Sequence, residues 1–431
     1  MSLPFLAEIL AFLSLAIWLV LFLSWGNFWR VWESDADRTS APSPATWPRV
    51  TAVIPARNEA ASIAAVIAAL TKQDYPGEFP AIIVDDHSED ATAELARKAS
   101  IESGAQSRFQ VISAPDLAPG WTGKLWALNS GVSAACSADS SAPSRDFREM
   151  NLVYPEERRV CAPVSTSATT ARLTSNSVLP EFFWFTDADI VHAPDTLRRL
   201  VARAQQTNLD LTSLMVLLES RTFAERLLIP AFLYFFLMLY PPNWIANPHA
   251  KTAGAAGGCI LLRRTALQRI GGLASIRDEI IDDCSLARAV KRSGGKIWMG
   301  LTRASQSLRS YSGFAEIRDM IARTAFTQLH YSAPQLLGTL IGLTITFLVP
   351  VALTFAQAPR VWLPALFAWC LMTASFLPTI TFYRLGPLWS PLLPLSAVFY
   401  SYATLLSAVR YWRGRGAQWK GRSQAPGASP L

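Results

Sequence analysis

Charge is scarce in this sequence. Only 16% of its 431 residues are Asp, Glu, Lys or Arg, while 51% are apolar. Soluble domains carry roughly a quarter charged residues, so the deficit excludes a wholly water-exposed chain and points to membrane segments beside a folded body. Cysteine is sparse too. Cys136, Cys161, Cys259, Cys284 and Cys370 include no CxxC pair, and no histidine stands at zinc-ligand spacing from them, which excludes a zinc finger or ribbon. The odd, scattered set fits inert thiols in a reducing compartment. His87, His192, His249 and His330 form no spaced set and read as non-metal residues, with only His87 near the motifs below. Walker, GxSxG and HExxH motifs are absent, which removes P-loop nucleotide hydrolysis, the nucleophile elbow and the zincin mechanism. A basic n-region and a small-residue cleavage site are missing around the first apolar run, residues 4–25. That run reads as a retained transmembrane helix, tolerating Glu8 near one end.

The net charge is +7, and Arg410, Arg413, Arg415, Lys420 and Arg422 crowd one stretch near the C-terminus. Without an interleaved aromatic-basic motif this excludes nucleic acid as partner and favours an anionic lipid surface. A polar linker follows the first span, giving an anchor over 1–27 and a linker over 28–48. Residues 50–54 then form a short apolar strand, residues 63–70 carry helical spacing, and residues 81–84 form a second strand. A helix over 91–100 and a strand over 109–112 continue the alternation. This predicts an α/β fold with a mostly parallel, doubly wound sheet, whose ligands bind at the carboxyl ends of the strands. Periodicity collapses between 134 and 180, an inserted loop, and resumes in a strand over 182–185. The apolar stretch within 227–246, bracketed by Pro230 and Pro241, predicts an interfacial or re-entrant helix. Runs over 336–356, 361–383 and 388–409 predict two to three C-terminal spans within 331–410. The basic tail, 411–431, belongs in the cytoplasm by its charge. Three spans after a cytoplasmic domain would put it outside, and the sequence leaves that conflict open.

The carboxylates gather at strand ends. Asp187-Ala188-Asp189 follows the apolar run Phe182-Phe183-Trp184-Phe185. Two carboxylates two residues apart at a strand end suit Mg²⁺ or Mn²⁺ against a diphosphate. Asp85 and Asp86 also end a strand, where a carboxylate hydrogen-bonds a nucleobase or ribose; capping of the next helix by Ser88 or Asp90 is the rival reading. Pro55-Ala56-Arg57-Asn58-Glu59 ends the neighbouring strand. Lys124 offers a cation to phosphate or is simply solvated. Asp282-Asp283 begins a helix, as dipole partners or as the base that takes an acceptor proton. Gly257-Gly258 let a ligand approach the backbone or merely pack.

In order and spacing over residues 50–323, these motifs resemble the family-2 glycosyltransferases of GT-A fold. The matching pieces are Pro55–Glu59, Val84-Asp85-Asp86-His87-Ser88, Gly123–Asn129, Thr186-Asp187-Ala188-Asp189, Gly257-Gly258 and Asp282-Asp283. More narrowly, Tyr240-Pro241-Pro242, the stretches 255–261 and 281–287, and Arg323-Thr324-Ala325-Phe326-Thr327-Gln328-Leu329 resemble the hopene-associated glycosyltransferases, which are bacterial membrane proteins. The resemblance implies a GT-A catalytic domain over 49–330, on the cytoplasmic side of the inner membrane. It implies a nucleotide-sugar donor held by Pro55, Ala56, Arg57, Glu59, Asp85, Asp86, Lys124 and Asp187, and a divalent metal on Asp187 and Asp189. It further implies Asp283 as the inverting base with Asp282 beside it, and an acceptor region at Gly257, Gly258 and Arg323. The expected activity is transfer of one sugar to a membrane lipid, which the narrower resemblance implies is hopanoid-related. A QxxRW box is missing, since Met320 and Thr324 stand in the glutamine and tryptophan places, which argues against a processive polysaccharide synthase. A non-catalytic scaffold is the third reading, opposed by retention of all four acidic positions.

Overall fold

The computed structural model describes residues 2–31, 44–137 and 179–414, with two short strands at 418–419 and 422–423. Helix α1 (Leu3–Leu23) is followed by β1 (Val50–Ala56), α2 (Ile63–Thr71), β2 (Ala81–Asp85), α3 (Thr92–Glu102), β3 (Phe109–Ser113) and α4 (Gly123–Ser137). Then come β4 (Phe182–Thr186), β5 (Ile190–His192), α5 (Thr196–Gln206), β6 (Leu211–Leu217), α6 (Phe223–Leu239) and α7 (Pro242–Ala246). The body closes with β7 (Cys259–Arg263), α8 (Arg264–Arg269), α9 (Asp282–Arg292), β8 (Ile297–Ser307), α10 (Phe314–Ala322) and α11 (Ala325–Gln328). Helices α12 (Ala333–Leu343), α13 (Val349–Thr354), α14 (Pro359–Phe382) and α15 (Leu393–Trp412) follow.

Among the described residues, eight strands form one sheet in the order β3-β2-β1-β4-β7-β6-β8-β5. The sheet is mostly parallel, as expected, with two exceptions: β3, β2, β1, β4, β6 and β8 run one way, and β7 and β5 run against them. Pairs β1–β2, β1–β4, β2–β3 and β6–β8 are parallel, whereas β4–β7, β6–β7 and β5–β8 are antiparallel. The cause is the chain's path. It returns from the α6–α7 excursion at the edge where β4 ends, Thr186 facing Cys259, so β7 must run back down between β4 and β6. The expected inserted loop falls mostly on residues 138–178, outside the described residues; its first residues, 134–137, continue α4 instead.

Both faces of the sheet are covered, which is why its strands read as unbroken apolar runs. Phe182 and Trp184 face one core with α2 and α5 residues such as Ile67 and Leu200. Phe183 and Phe185 face a second, larger core that runs on through Leu228 and Tyr234 of α6 to Phe376 of α14 and Tyr400 of α15. Phe182 and Phe183 are fully buried, each stabilising the fold by about 2–3 kcal/mol. The cysteines depart from the expected set of thiols: Cys259 and Cys284 are buried thiols, but Cys136 is in a disulfide.

Among the described residues, five helices are long and apolar enough to cross a membrane: Pro4–Leu23, Phe223–Ala246, Ala333–Thr354, Pro359–Phe382 and Pro387–Trp412. The third is interrupted by a π-helical turn, Thr344–Leu348. Pro350 has no N–H to give the Thr346 carbonyl, and the buried Trp18 indole supplies one at 2.7 Å. A freed carbonyl in lipid demands such a partner, and this one locks α1 to the C-terminal helices.

Candidate active site

The strands β1, β2 and β4 end side by side, and their loops are tied to one another. Asn58 and His87, both at φ 52°, turn the chain sharply after β1 and β2. The Arg57 guanidinium donates to the carbonyls of Asp86 (2.6 Å) and His87 (3.0 Å) and pairs with Glu89. The Asn58 side chain accepts from Glu89 N–H at 2.8 Å, and the Glu59 N–H donates to Thr92 Oγ1 at 2.8 Å. Ser62 donates to the Ala188 carbonyl at 2.9 Å, so the loop also grips the Asp187–Asp189 turn. Arg57 and Glu59 thus brace the loops around the strand ends. Asp86 is fully buried, its N–H on the Ala56 carbonyl.

Asp85 closes β2. It is only 8% exposed, and its Oδ1 has no hydrogen-bond partner among the described residues. Leaving such an oxygen unpaired costs about 1–3 kcal/mol, so the position favours a ligand that donates a hydrogen bond.

Lys124, in the first turn of α4, reaches the adjoining crevice. Its Nζ lies 2.9 Å from Asp187 Oδ1 and 3.5 Å from Asp282 Oδ2. Burial opposes its charge, but Asp187, Asp282 and Asp283 outweigh burial and hold the ammonium well above the usual lysine range. Asp283 opens α9. Its Oδ2 accepts from Gly257 N–H at 2.9 Å and its Oδ1 from Cys284 N–H at 2.7 Å. Withdrawal from solvent and the neighbouring Asp282 charge push its pKa up to about 6, against Lys124 and the two N–H donors. A Cβ on Gly257 would stand 3.2 Å from Lys124 Nζ and 3.3 Å from Asp283 Oδ2, so the glycine is what lets these charges meet. Pro55, Lys124, Asp187, Gly257, Asp282 and Asp283 therefore line one crevice. Arg323 does not line it; exposed at the end of α10, it acts electrostatically on Tyr311.

The sequence reading passed over the support beneath the aspartates. His192 is buried on β5, with Nε2 2.8 Å from Thr186 Oγ1 and Nδ1 2.8 Å from Ser305 Oγ. Burial pushes its pKa down to about 3, so the ring is neutral and acts as a brace. Thr186 also donates to the Gly258 carbonyl at 3.1 Å. Only pairing with β8 gives this histidine its role, and no local signal reveals it. Beyond β8, Leu308 N–H donates to the Asp189 carbonyl and Tyr311 N–H to the buried Glu225 carboxylate, which fixes the following loop over the site.

Among the described residues no group of three or more His, Cys, Asp or Glu is placed to hold a metal. Asp187 and Asp189 offer two hard carboxylates, a set that suits Mg²⁺ or Mn²⁺ when phosphate and water complete the shell. The ammonium already drawn to Asp187 marks the spot as one that favours a cation.

Residues 48–327 match the family model described as glycosyltransferase like family 2. No curated protein matches. Among solved structures, a mannosyltransferase from Pyrobaculum calidifontis, in complex with GDP-Man and Mn²⁺, is 17% identical with a TM-score of 0.51, covering 94% of this chain and 99% of that one. A glucosyl-3-phosphoglycerate synthase from Mycobacterium tuberculosis, in complex with Mn²⁺, UDP and glucosyl-3-phosphoglycerate, is 18% identical with a TM-score of 0.34, covering 64% and 78%. The first likeness carries the fold, a GT-A sheet extended by apolar helices. The family match covers the strand ends, the aspartate turns and the glycine pair that form the crevice, and the chain belongs to the family-2-like glycosyltransferases.

Proposed function

We propose that this glycosyltransferase moves a single sugar from a nucleotide-sugar donor to a membrane lipid, inverting the anomeric carbon. The observation that carries the reading is Asp283: a carboxylate with raised proton affinity, fixed by two backbone N–H groups, across the crevice from the Lys124–Asp187 pair. Asp85 holds the nucleobase or ribose through its unpaired oxygen, and Lys124 leans on the diphosphate. Asp187 and Asp189 would hold Mg²⁺ or Mn²⁺, which when bound offsets the charge on the departing diphosphate. The acceptor hydroxyl attacks the anomeric carbon and its proton passes to Asp283. The new C–O bond forms as the bond to phosphate breaks, and nucleoside diphosphate leaves.

A lipid acceptor is supported by the way the apolar helices reach this base. The Tyr240 phenol at the end of α6 meets the Cys284 thiol, next to Asp283, and donates to Gln328 at 3.0 Å. The sequence resemblance directs the choice toward a hopanoid or another polyprenoid-derived alcohol or phosphate. On this reading the catalytic body faces the cytoplasm of a bacterial inner membrane, where nucleotide sugars are made.

The test offers radiolabelled nucleotide sugars, GDP-mannose first, with Mg²⁺ or Mn²⁺ to the purified chain in liposomes of bacterial lipid. Label should enter the lipid fraction as a monosaccharide, and Asp283→Asn should lower the rate by about 10²–10⁴-fold. Neither transfer nor donor hydrolysis with any sugar in the native chain would sink the reading, and long products would replace it with a polymer synthase.

A further inference from the structure

Five helices have the length of a membrane span, but they do not meet the catalytic body in the same way. Three of them leave it at one end, Ala333–Thr354 after packing on it as far as Phe347, which meets Phe235 of α6 at 5.4 Å. Ala7 and Ala11 near the start of α1 cluster with Leu353 and Ala356 at the end of α13, and with Val361 and Ala365 at the start of α14, away from the body. At the opposite end, Trp25 just after α1 donates to the Met238 carbonyl, and Phe28 packs on Tyr234 at 5.2 Å. The end of α14 reaches the same level, with Phe376 on Tyr234 and Phe382 under the Arg303 guanidinium of β8. The start of α12 joins there as well, through Leu336 beside Phe326.

Helix α15 is anchored to the body along its whole length. Just before it, Trp389 packs on Phe223, the first residue of α6. Ser396 and Tyr400 donate to the carbonyls of Leu227 and Leu228 at 2.8 and 3.0 Å. Phe399 meets Phe314 at the start of α10, and Ser407 accepts from Phe326 N–H at the start of α11. Arg410 pairs with Asp319 at 2.6 Å. Thus α10 lies beside α15 over the stretch from Phe399 to Arg410. If α15 crossed the bilayer, α10 would be drawn in with Glu316, Arg318 and Asp319, at about 2.5–3.5 kcal/mol per charge near the centre. Yet α10 follows directly on the loop that Asp189 and Glu225 hold at the site. Helix α6 is tied at both ends too. Thr222 and Glu225 cap its start, and beyond its end Lys291 of α9 donates to the Trp244 and Ile245 carbonyls that close α7.

We infer that α6 and α15 lie along the bilayer surface on the side of the active site, and that the chain crosses three times, through α1, α12–α13 and α14. The outer face of α15 carries the exposed residues Leu395, Val398, Tyr402 and Leu405, an apolar stripe that ends in Trp412 beside Arg410 and Arg413. Its occupant is the headgroup–acyl boundary of an anionic leaflet, which takes apolar side chains and rings while the arginines stay at the surface. Three crossings also return the basic tail to the side of the site, so the charge rule and the span count agree. The inference rests on membrane insertion and on neither donor nor acceptor, so a failed transfer assay leaves it standing.

The test places single cysteines in the full chain and scores uptake of a membrane-impermeant maleimide against the parent chain. Glu78→Cys reports the catalytic surface, Gln357→Cys the α13–α14 turn and Trp419→Cys the tail. In right-side-out vesicles only position 357 should label; in inverted vesicles positions 78 and 419 should label and 357 should not. Position 419 labelling together with 357 would overturn the inference by making α15 a span. All three labelling from both sides would overturn it by removing the membrane. A protease-cleavable tag after residue 431, cut only in inverted vesicles, gives the same reading should Trp419→Cys fold poorly. Monodisperse dimers in detergent that bury Val398 and Leu405 would assign the stripe to a second copy instead.

Discussion

At the scale of single residues, two neighbouring charges, Asp282 and Lys124, set the proton affinity of Asp283 in opposite directions. On the proposed reading, with Asp283 as the base, burial and the Asp282 charge push its pKa up to about 6, so kcat/KM should fall tenfold per pH unit below about pH 6. The neighbours move that limb in opposite directions. Removing the like charge with Asp282→Asn favours the ionised base and should shift the limb to lower pH; removing the ammonium with Lys124→Gln should shift it upward, besides slowing transfer. A pH–rate profile of each variant checks both signs, and limbs that stay fixed would mean that another group is the base. His192 makes a second prediction, on stability. Its folded pKa, about 3, lies below the unfolded value of about 6.5, so its contribution is complete above pH 6.5 and is lost as pH falls towards 3. The slope is about 1.4 kcal/mol per pH unit, and His192→Asn should melt with a flatter acid dependence. The placement of Asp85, Asp187, Asp189 and Asp283 at or just past strand ends and a helix start was legible in the sequence, because carboxylates there stand out beside apolar runs. His192, Glu225 and Tyr311 were not, since their partners are distant in the chain and a lone buried polar residue has no local signature.

Elements were legible where periodicity was local. The first three strands, β4 and the helices between them followed from apolar runs and helical spacing, within about two residues at most ends. Strands β5 to β8 did not. β5 has three residues, and β8 has an interrupted pattern of buried and partly exposed positions. The direction of β7 depends on where α6 and α7 deliver the chain. Close approach between elements was equally invisible. Gly131 of α4 sits so near the sheet that a Cβ would come within 2.3 Å of Val53 Cγ1 and 3.0 Å of Val84 Cγ2. Helix propensity alone makes Gly131→Ala favourable by about 1 kcal/mol. Overpacking costs about 1–3 kcal/mol, and at this spacing the cost lies at the upper end, so overpacking wins. The variant should be less stable by about 1–2 kcal/mol in a denaturant titration. Because α4 also carries Lys124, its displacement should weaken donor binding as well; a stabilised variant would show that helix and sheet separate without cost.

Taken whole, the molecule does not divide where composition changes. A boundary near residue 330 separates polar from apolar sequence, but the larger core crosses it without a break, from Val53 and Phe183 through Leu228 and Tyr234 to Phe376 and Tyr400. Polar ties cross it too, with Tyr234 bonded to Ser375 at 2.6 Å and Ser407 to Phe326 N–H at 3.1 Å. Removing α12–α15 therefore strips the cover from α6, leaving Leu228, Tyr234 and Phe235 facing water. Each large apolar side chain so exposed costs about 1.5–3 kcal/mol, and three or four of them match the whole stability of an ordinary domain. A fragment of residues 45–330 should therefore aggregate or need detergent, with a weakened nucleotide affinity, because Tyr240 would lose the setting that holds it beside Cys284 and Asp283. Deleting only residues 1–25 should be milder. Most of α1 is exposed, and its losses centre on the Trp18–Thr346 bond and the contacts with α13 and α14. Size-exclusion profiles and calorimetric nucleotide titrations of the two truncations against the full chain measure the difference. A 45–330 fragment that is monomeric in water and binds nucleotide like the full chain would show that the membrane helices are an anchor and not part of the catalytic core.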